Sequence, residues 1–203
     1  MSKTYVAVDI EKTGKMPFEH KVVSMGYCVG NENGTVLLKG KINLQVEWPE
    51  VDEKTGLVKS YGNFEKRCWD SFWSKQDPTV IANLKKDSLP QATGFMKFCD
   101  WLNELESKYK NIMFLSDNAS FDIGTIDLNL ERYCNRSPMR YSSSGEYRTI
   151  IPPDDLLYSL DSEQVKKLTD KHITPYVVHD HDPSNDAEYI YRQYIAFLER
   201  HRA

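Results

Sequence analysis

Asp9 and Glu11 close a run, Tyr5-Val6-Ala7-Val8-Asp9-Ile10-Glu11, that is otherwise apolar and breaks off at Gly14. The run reads as a strand. Successive side chains of a strand point to opposite faces, so Asp9 and Glu11 project together while Ile10 enters the other layer. Two carboxylates side by side at the end of an apolar strand repel each other and resist desolvation unless a cation or strong donors lie between them. The chemistry on offer is half of a divalent-cation site. The competing reading, two solvated acids at an exposed strand end, is equally open from these residues taken by themselves.

Two further acids raise the count. Asp122 falls in the first turn of a helix that follows the short apolar stretch Ile112-Met113-Phe114-Leu115, the place where open α/β sheets present side chains beyond their strand ends. Asp186 falls in the first turn of the last helix. Either acid, singly, is explained by the helix dipole, worth about 0.3–1 kcal/mol. If both helix starts meet the end of the first strand, Asp9, Glu11, Asp122 and Asp186 form an all-oxygen shell suited to magnesium or manganese rather than zinc. Shortly before Asp186 comes His179-Asp180-His181-Asp182. A histidine ordinarily titrates near neutrality, so one placed here can take a proton from an attacking water. The bland alternatives are a solvated loop histidine or a separate metal-binding tract.

The elements that must position these residues follow from periodicity. After the first strand come a strand at 22–29, a turn at Asn31-Glu32-Asn33-Gly34 and a return strand at 35–44 with Val36, Leu38, Ile42 and Leu44 on one face. Residues 45–63 are rich in proline, glycine and charge and read as a surface excursion. Helices are expected at 64–75, from Asp77-Pro78 to residue 86, and after Pro90, where Phe95, Phe98, Leu102, Leu105 and Tyr109 share a face. A strand at 111–116 leads into a helix with Ile123, Ile126, Leu130 and Tyr133 on one face. A last strand near 147–151, two short helices within 154–171 and a helix at 184–202 complete the chain. Three strands followed by helices alternating with strands give an α/β fold: a mixed five-stranded sheet, an antiparallel meander plus parallel strands, with helices on both faces. With no internal repeat or linker, residues 1–203 read as one domain.

A formal net charge of -4 excludes a broad basic field that grips nucleic acid, though not local grip. Cys28, Cys68, Cys99 and Cys134 form no C-x-x-C pair, which argues against a zinc site or a disulfide framework. No signal pattern or membrane-length apolar run appears, so a soluble, intracellular, cytoplasmic protein with no membrane partner is expected. The oligomeric state stays open, a homodimer included.

Asp9-x-Glu11, Asn118-x-x-Phe121-Asp122 and His181-x-x-x-x-Asp186 resemble, in order and spacing, the three motifs of the DEDD exonucleases that carry a histidine in the third motif. Phe72-Trp73-Ser74-Lys75-Gln76 resembles the W-W-x-x-Q element, and Arg148-Thr149 the R-T pair, of small single-domain members such as phage exodeoxyribonuclease A and related bacterial exoribonucleases. Two departures are Glu146 in place of an aspartate before the R-T pair and a longer segment after the first motif. The resemblance implies a ribonuclease H-like fold and 3′-5′ removal of nucleotides from single-stranded RNA or DNA with two Mg²⁺ or Mn²⁺ ions. It implies Asp9 as the shared ligand, Glu11 and Asp186 on the nucleophile side, Asp122 acting through water on the other, and His181 as the base. Candidate substrate contacts are Lys12, Thr13, Asn118, Phe121, Trp73, Gln76 and Arg148, of which the aromatic stripe reads as core at least as readily as a stacking ledge. Two alternatives stand: an inactive exonuclease-fold binding protein, and an enzyme confined to short oligonucleotides.

Overall fold

The computed structural model describes residues 3–136, 148–150 and 162–202. β1 (Thr4–Lys12) pairs antiparallel with β2 (Val22–Asn31), which pairs antiparallel with β3 (Val36–Asn43). A separate ribbon is made by β4 (Glu50–Val51) and β5 (Val58–Ser60). The helices α1 (Lys66–Ser71), α2 (Pro78–Lys85) and α3 (Gln91–Lys108) precede β6 (Ile112–Leu115) and α4 (Asp122–Cys134). β7 (Arg148–Ile150), α5 (Ser162–His172) and α6 (Pro183–Arg202) follow. β6 joins the free side of β1 in parallel and β7 joins β6 in parallel, so the five-stranded sheet runs β3-β2-β1-β6-β7. Among the described residues no helix is long and apolar enough to cross a membrane.

The central strand divides its side chains between two layers. Val6, Val8 and Ile10 pack on Phe95, Phe98 and Leu102 of α3 and on Ile123, Ile126 and Leu130 of α4. Tyr5 and Ala7 pack on Ala187, Ile190, Tyr191 and Tyr194 of α6. Burial of each large aliphatic side chain contributes about 1.5–3 kcal/mol, which fixes the register, because a one-residue slip would exchange the two faces. Asp9 and Glu11 continue the alternation of Tyr5 and Ala7 and so face the layer of α6.

Two glycines of β2 let α6 lie close. Gly26 pairs with Asp9, and a Cβ built there would fall 1.9 Å from the Pro183 carbonyl oxygen, so the first turn of α6 rests directly on the strand backbone. A Cβ at Gly30 would fall 2.1 Å from the Tyr191 ring, whose hydroxyl donates to the Asn31 carbonyl at 2.7 Å.

Three expectations change. The face of the return strand is broken, because Val29 pairs with Leu38 but Gly30 with Val36, leaving Leu37 as an inserted residue. Val36 consequently packs toward α6 while Ile42 and Leu44 pack toward α3, and Leu38 is 44% exposed. The helix expected over 64–75 stops at Ser71, Phe72 leaves the helical region (φ -127, ψ -69), and a 3-10 turn covers Trp73–Lys75. The excursion at 45–63 carries the β4–β5 ribbon and packs Val46, Trp48, Val58 and Tyr61 over a satellite core of Phe64, Trp69, Trp73 and Leu84. Of the two helices expected within 154–171, the described residues hold α5, and 154–161 lie outside them.

Candidate active site

The parallel register of β1 and β6 builds one side of the site. Ala7 stands beside Leu115, so two residues further along each chain Asp9 comes beside Asp117 on the same face. Carboxylate oxygens of Asp9, Asp117 and Asp122 lie within 4.8 Å of one another, as do those of Asp9, Glu11 and Asp186. Asp9 belongs to both groups. The neighbouring cleft of about 530 Å³ is lined by these five acids and by Asn118, Phe121, Phe72, His179 and His181, with Lys15 and Arg67 among its cationic lining residues.

Each acid is held by its element. Asp122 is buried in the first turn of α4, and its Oδ2 accepts a 2.5 Å hydrogen bond from Ser116 Oγ, which also accepts from the Asn118 N–H at 3.0 Å. Asp186 Oδ1 accepts from the Asp180 N–H at 3.1 Å. Asp182 caps α6: its Oδ1 accepts from the Ser184 N–H at 3.0 Å and the Ser184 hydroxyl at 2.6 Å, while its other oxygen pairs with Lys41 of β3. With Pro183 at the first helical position, this is the same Asp-Pro start that opens α2, where Asp77 accepts from Thr79 N–H at 2.8 Å. The cap, the Lys41 pair and Gly26 together fix where Asp186 enters the cleft.

Crowding and burial show in the titration of these groups. Burial first, then the charges of Glu11, Asp122, Asp186 and Asp117, hold the Asp9 carboxyl well above its ordinary value. Burial, with Asp186, Asp122 and Asp117, does the same to Glu11. Burial lifts Asp122 to about 8 against the Ser116 hydrogen bond, and Asp186 to about 7 against the Asp180 N–H and the His181 ring. A cluster of this kind ionises fully when positive charge is supplied to it.

The structure brings together Asp9, Glu11, Asp122, Asp186 and His181, and places Asn118 and Phe121 in the lining of the same cleft. His181, at φ +60, turns the loop so that its Nδ1 stands 3.8 Å from Glu11 Oε1. His179 also faces the acids, its Nε2 3.7 Å from Asp186 Oδ2. Of the proposed substrate contacts, Lys12 is a buried member of the cleft lining, while Thr13, Trp73 and Gln76 are not among its lining residues. Lys12 is 2% exposed, with its ammonium donating to Thr125 Oγ1 at 2.9 Å and lying 3.7 Å from the centre of the Phe121 ring, so it braces Phe121 while still lining the cleft. Burial lowers this amine to about 8, with Asp122 pulling the other way. Thr13 is buried and its hydroxyl accepts from the Lys21 N–H at 3.0 Å. Trp73 is core, its indole N–H donating to the Lys12 carbonyl at 2.9 Å. Gln76 lines a different cavity beneath the β4–β5 ribbon. From the aromatic stripe it is Phe72 that joins Phe121 in lining the cleft, edge-on to His181 at 5.0 Å between ring centres. Arg148 sits in β7, and its side chain lies outside the described residues. The sequence reading missed Asp117, Ser116, Asp182 and Arg67. Asp117 was recoverable from a parallel pairing of residue 7 with residue 115; the other three carry no signal until the fold is known.

A family model described as the 3′-5′ exoribonuclease Rv2179c-like domain matches residues 4–197. The chain belongs to this family. It is a 3′-5′ exonuclease of the DEDD type, with the mixed sheet and two helical faces that the sequence motifs imply. This exonuclease domain is 23% identical, over 91% of its length and 86% of the relative's, to a protein of Escherichia coli described as 3′-5′ DNA exonuclease Cap18. In fold it is similar to product-bound exonuclease I (TM-score 0.62, 10% identity) and to the zinc-bound E. coli exonuclease I complex with single-stranded DNA (TM-score 0.59, 11% identity). It covers 45% and 41% of those two chains, and they cover 100% of it, so the chain spans less than half of either. A full-length 3′-exonuclease, 15% identical with a TM-score of 0.54, is matched over 83% of its own length.

Proposed function

We propose that the chain acts as one domain that hydrolyses the terminal phosphodiester bond of single-stranded nucleic acid from the 3′ end, with two divalent cations held by the acids of the cleft. The observation that carries this reading is that Asp9 is common to two compact carboxylate groups, one with Glu11 and Asp186, the other with Asp117 and Asp122. An all-oxygen donor set fits Mg²⁺ or Mn²⁺. Such ions, when bound, supply acidification of the attacking water and neutralisation of the phosphate and of the leaving 3′ oxygen. The chain's own residues do the rest. Asp9 is the shared ligand, Glu11 and Asp186 serve the nucleophile side, and Asp117 and the Ser116-held Asp122 serve the leaving-group side. His181, whose Nδ1 faces Glu11, takes the proton of the attacking water as the bond from its oxygen to phosphorus forms and the bond to the 3′ oxygen breaks. Phe72 and Phe121 offer apolar walls to the terminal base, and Lys15 and Arg67 screen substrate phosphates at the cleft. Four free cysteines fit a reducing cytoplasm.

A single strand labelled at its 5′ end should shorten stepwise in Mg²⁺, stop on chelation, and resist when its 3′ end is blocked. Cuts in a circular single strand would overturn the exonuclease reading. The family description names an exoribonuclease and the E. coli relative is described as a DNA exonuclease, so matched RNA and DNA oligomers in the same assay decide the sugar preference.

A further inference from the structure

The loop before α6 assembles a second kind of metal site. Donor atoms of His179, His181 and Asp186 lie within 4.8 Å of one another. Two imidazoles and one carboxylate differ in kind from the five acids beside them, because nitrogen donors favour zinc and its neighbours in the transition series, whereas magnesium takes oxygen. The three groups are held in place. The left-handed backbone at His181 (φ +60) puts the two rings edge to face at 5.1 Å. Phe72 flanks the His181 ring at 5.0 Å and Tyr189 flanks the His179 ring at 5.6 Å. Asp186 is 2% exposed, and its Oδ2 stands 3.7 Å from His179 Nε2, too far for a hydrogen bond and close to the separation of two ligands on one small cation.

We propose that His179, His181 and Asp186 bind one Zn²⁺-class ion and that this ion blocks the exonuclease. Asp186 belongs both to this group and to the Asp9–Glu11–Asp186 group, so an ion on the histidines engages a carboxylate that the magnesium-side cluster uses. The same ion occupies the His181 ring and removes it as a proton acceptor. Inhibition is therefore reversible and saturates with one ion. His179 is the one member of the three given no step in the proposed hydrolysis, although its exposed ring lines the same cleft, so zinc inhibition is read relative to each protein's own activity in magnesium. The inhibitory consequence rests on the functional reading above; the binding site does not.

The test has two arms. Zn²⁺ binding is measured by titration against a chromophoric chelator in excess Mg²⁺, on the wild-type chain and on His179→Ala. Nucleotide release is measured across the same zinc series. The expected result is one zinc per chain, weakened about 10–100-fold or more in His179→Ala, with the zinc concentration that halves each protein's own magnesium activity shifted by the same factor. Equal zinc affinity in the two proteins, or no zinc binding to either, overturns the site. Histidine-dependent binding in a protein without nuclease activity in magnesium upholds the site and sinks the functional reading instead.

Discussion

A carboxylate shared between two groups and a histidine beside it are expected to fail differently when removed. Asp9→Ala takes a ligand from both acid groups at once, so nucleotide release should fall below detection at any magnesium concentration. The metal-free variant should melt at or above the wild-type temperature, because the substitution relieves repulsion from Glu11, Asp122, Asp186 and Asp117. Near-native turnover by Asp9→Ala would show that the ions sit elsewhere. His181→Ala should lower turnover about 10²–10⁴-fold while leaving magnesium affinity within a few-fold, since the ring moves a proton rather than holding the magnesium shell. A matching loss of magnesium affinity in a titration of the variant would count against the base assignment. The convergence of Asp9, Glu11, Asp122, His181 and Asp186 was legible in the sequence through motif order and the family resemblance it carries. Trp73 stayed open between core and stacking ledge, since a tryptophan near a motif looks the same whether it meets a base or, as here, lies buried and bonds to a backbone carbonyl.

At the scale of elements, the position of α6 decides whether Asp186 reaches the cleft. Three contacts set it: Gly26 beneath Pro183, the Asp182 cap, and the Asp182–Lys41 pair to β3. Asp182→Ala removes the cap and the pair together. A cap is worth about 1 kcal/mol, which lowers the melting temperature of a chain this size by about 2–4 °C. The larger effect should be catalytic, a fall in kcat of about ten-fold or more with KM little changed, because a small displacement of a ligand costs far more in rate than in stability. Asp182→Asn, which keeps the cap but weakens the ion pair, should recover most of it; equal defects in the two variants would assign the effect to Lys41 alone. The sequence supplied the elements better than their ends and faces. Strand and helix periods located β1, β2, α3, α4 and α6, but a period of two has no means of registering the extra residue at Leu37, and a helical period ran through Phe72 where the backbone turns out of the helix. The β4–β5 ribbon escaped because its strands are two and three residues long.

For the whole molecule, the acid cluster ties stability to pH and to metal in one direction. Asp122 and Asp186 titrate near 8 and 7 in the fold against an ordinary aspartate value of 3.8. In the unfolded chain they ionise first, so their protonated forms favour the fold fully below about pH 4, and that support drains away as pH rises through 7 and 8. The metal-free protein should therefore lose thermal stability as pH rises from about 4 to about 8. Saturating Mg²⁺ should flatten the curve by supplying the missing charge. A melting temperature that climbs between pH 5 and pH 8 without metal would contradict the burial of these acids. The order in which the chain can assemble follows from the sheet. β1, β2 and β3 pair through short connections, whereas β6 reaches β1 across the ribbon and three helices, and α6 closes the cleft from the far end of the chain. Local pairings form before distant ones, so a folding nucleus built on the meander holds Asp9 and Glu11 long before Asp186 arrives. A cation that needs all of them gains its full grip after the rate-limiting barrier has been crossed. Magnesium should then slow unfolding in a chevron experiment and leave the refolding limb where it was.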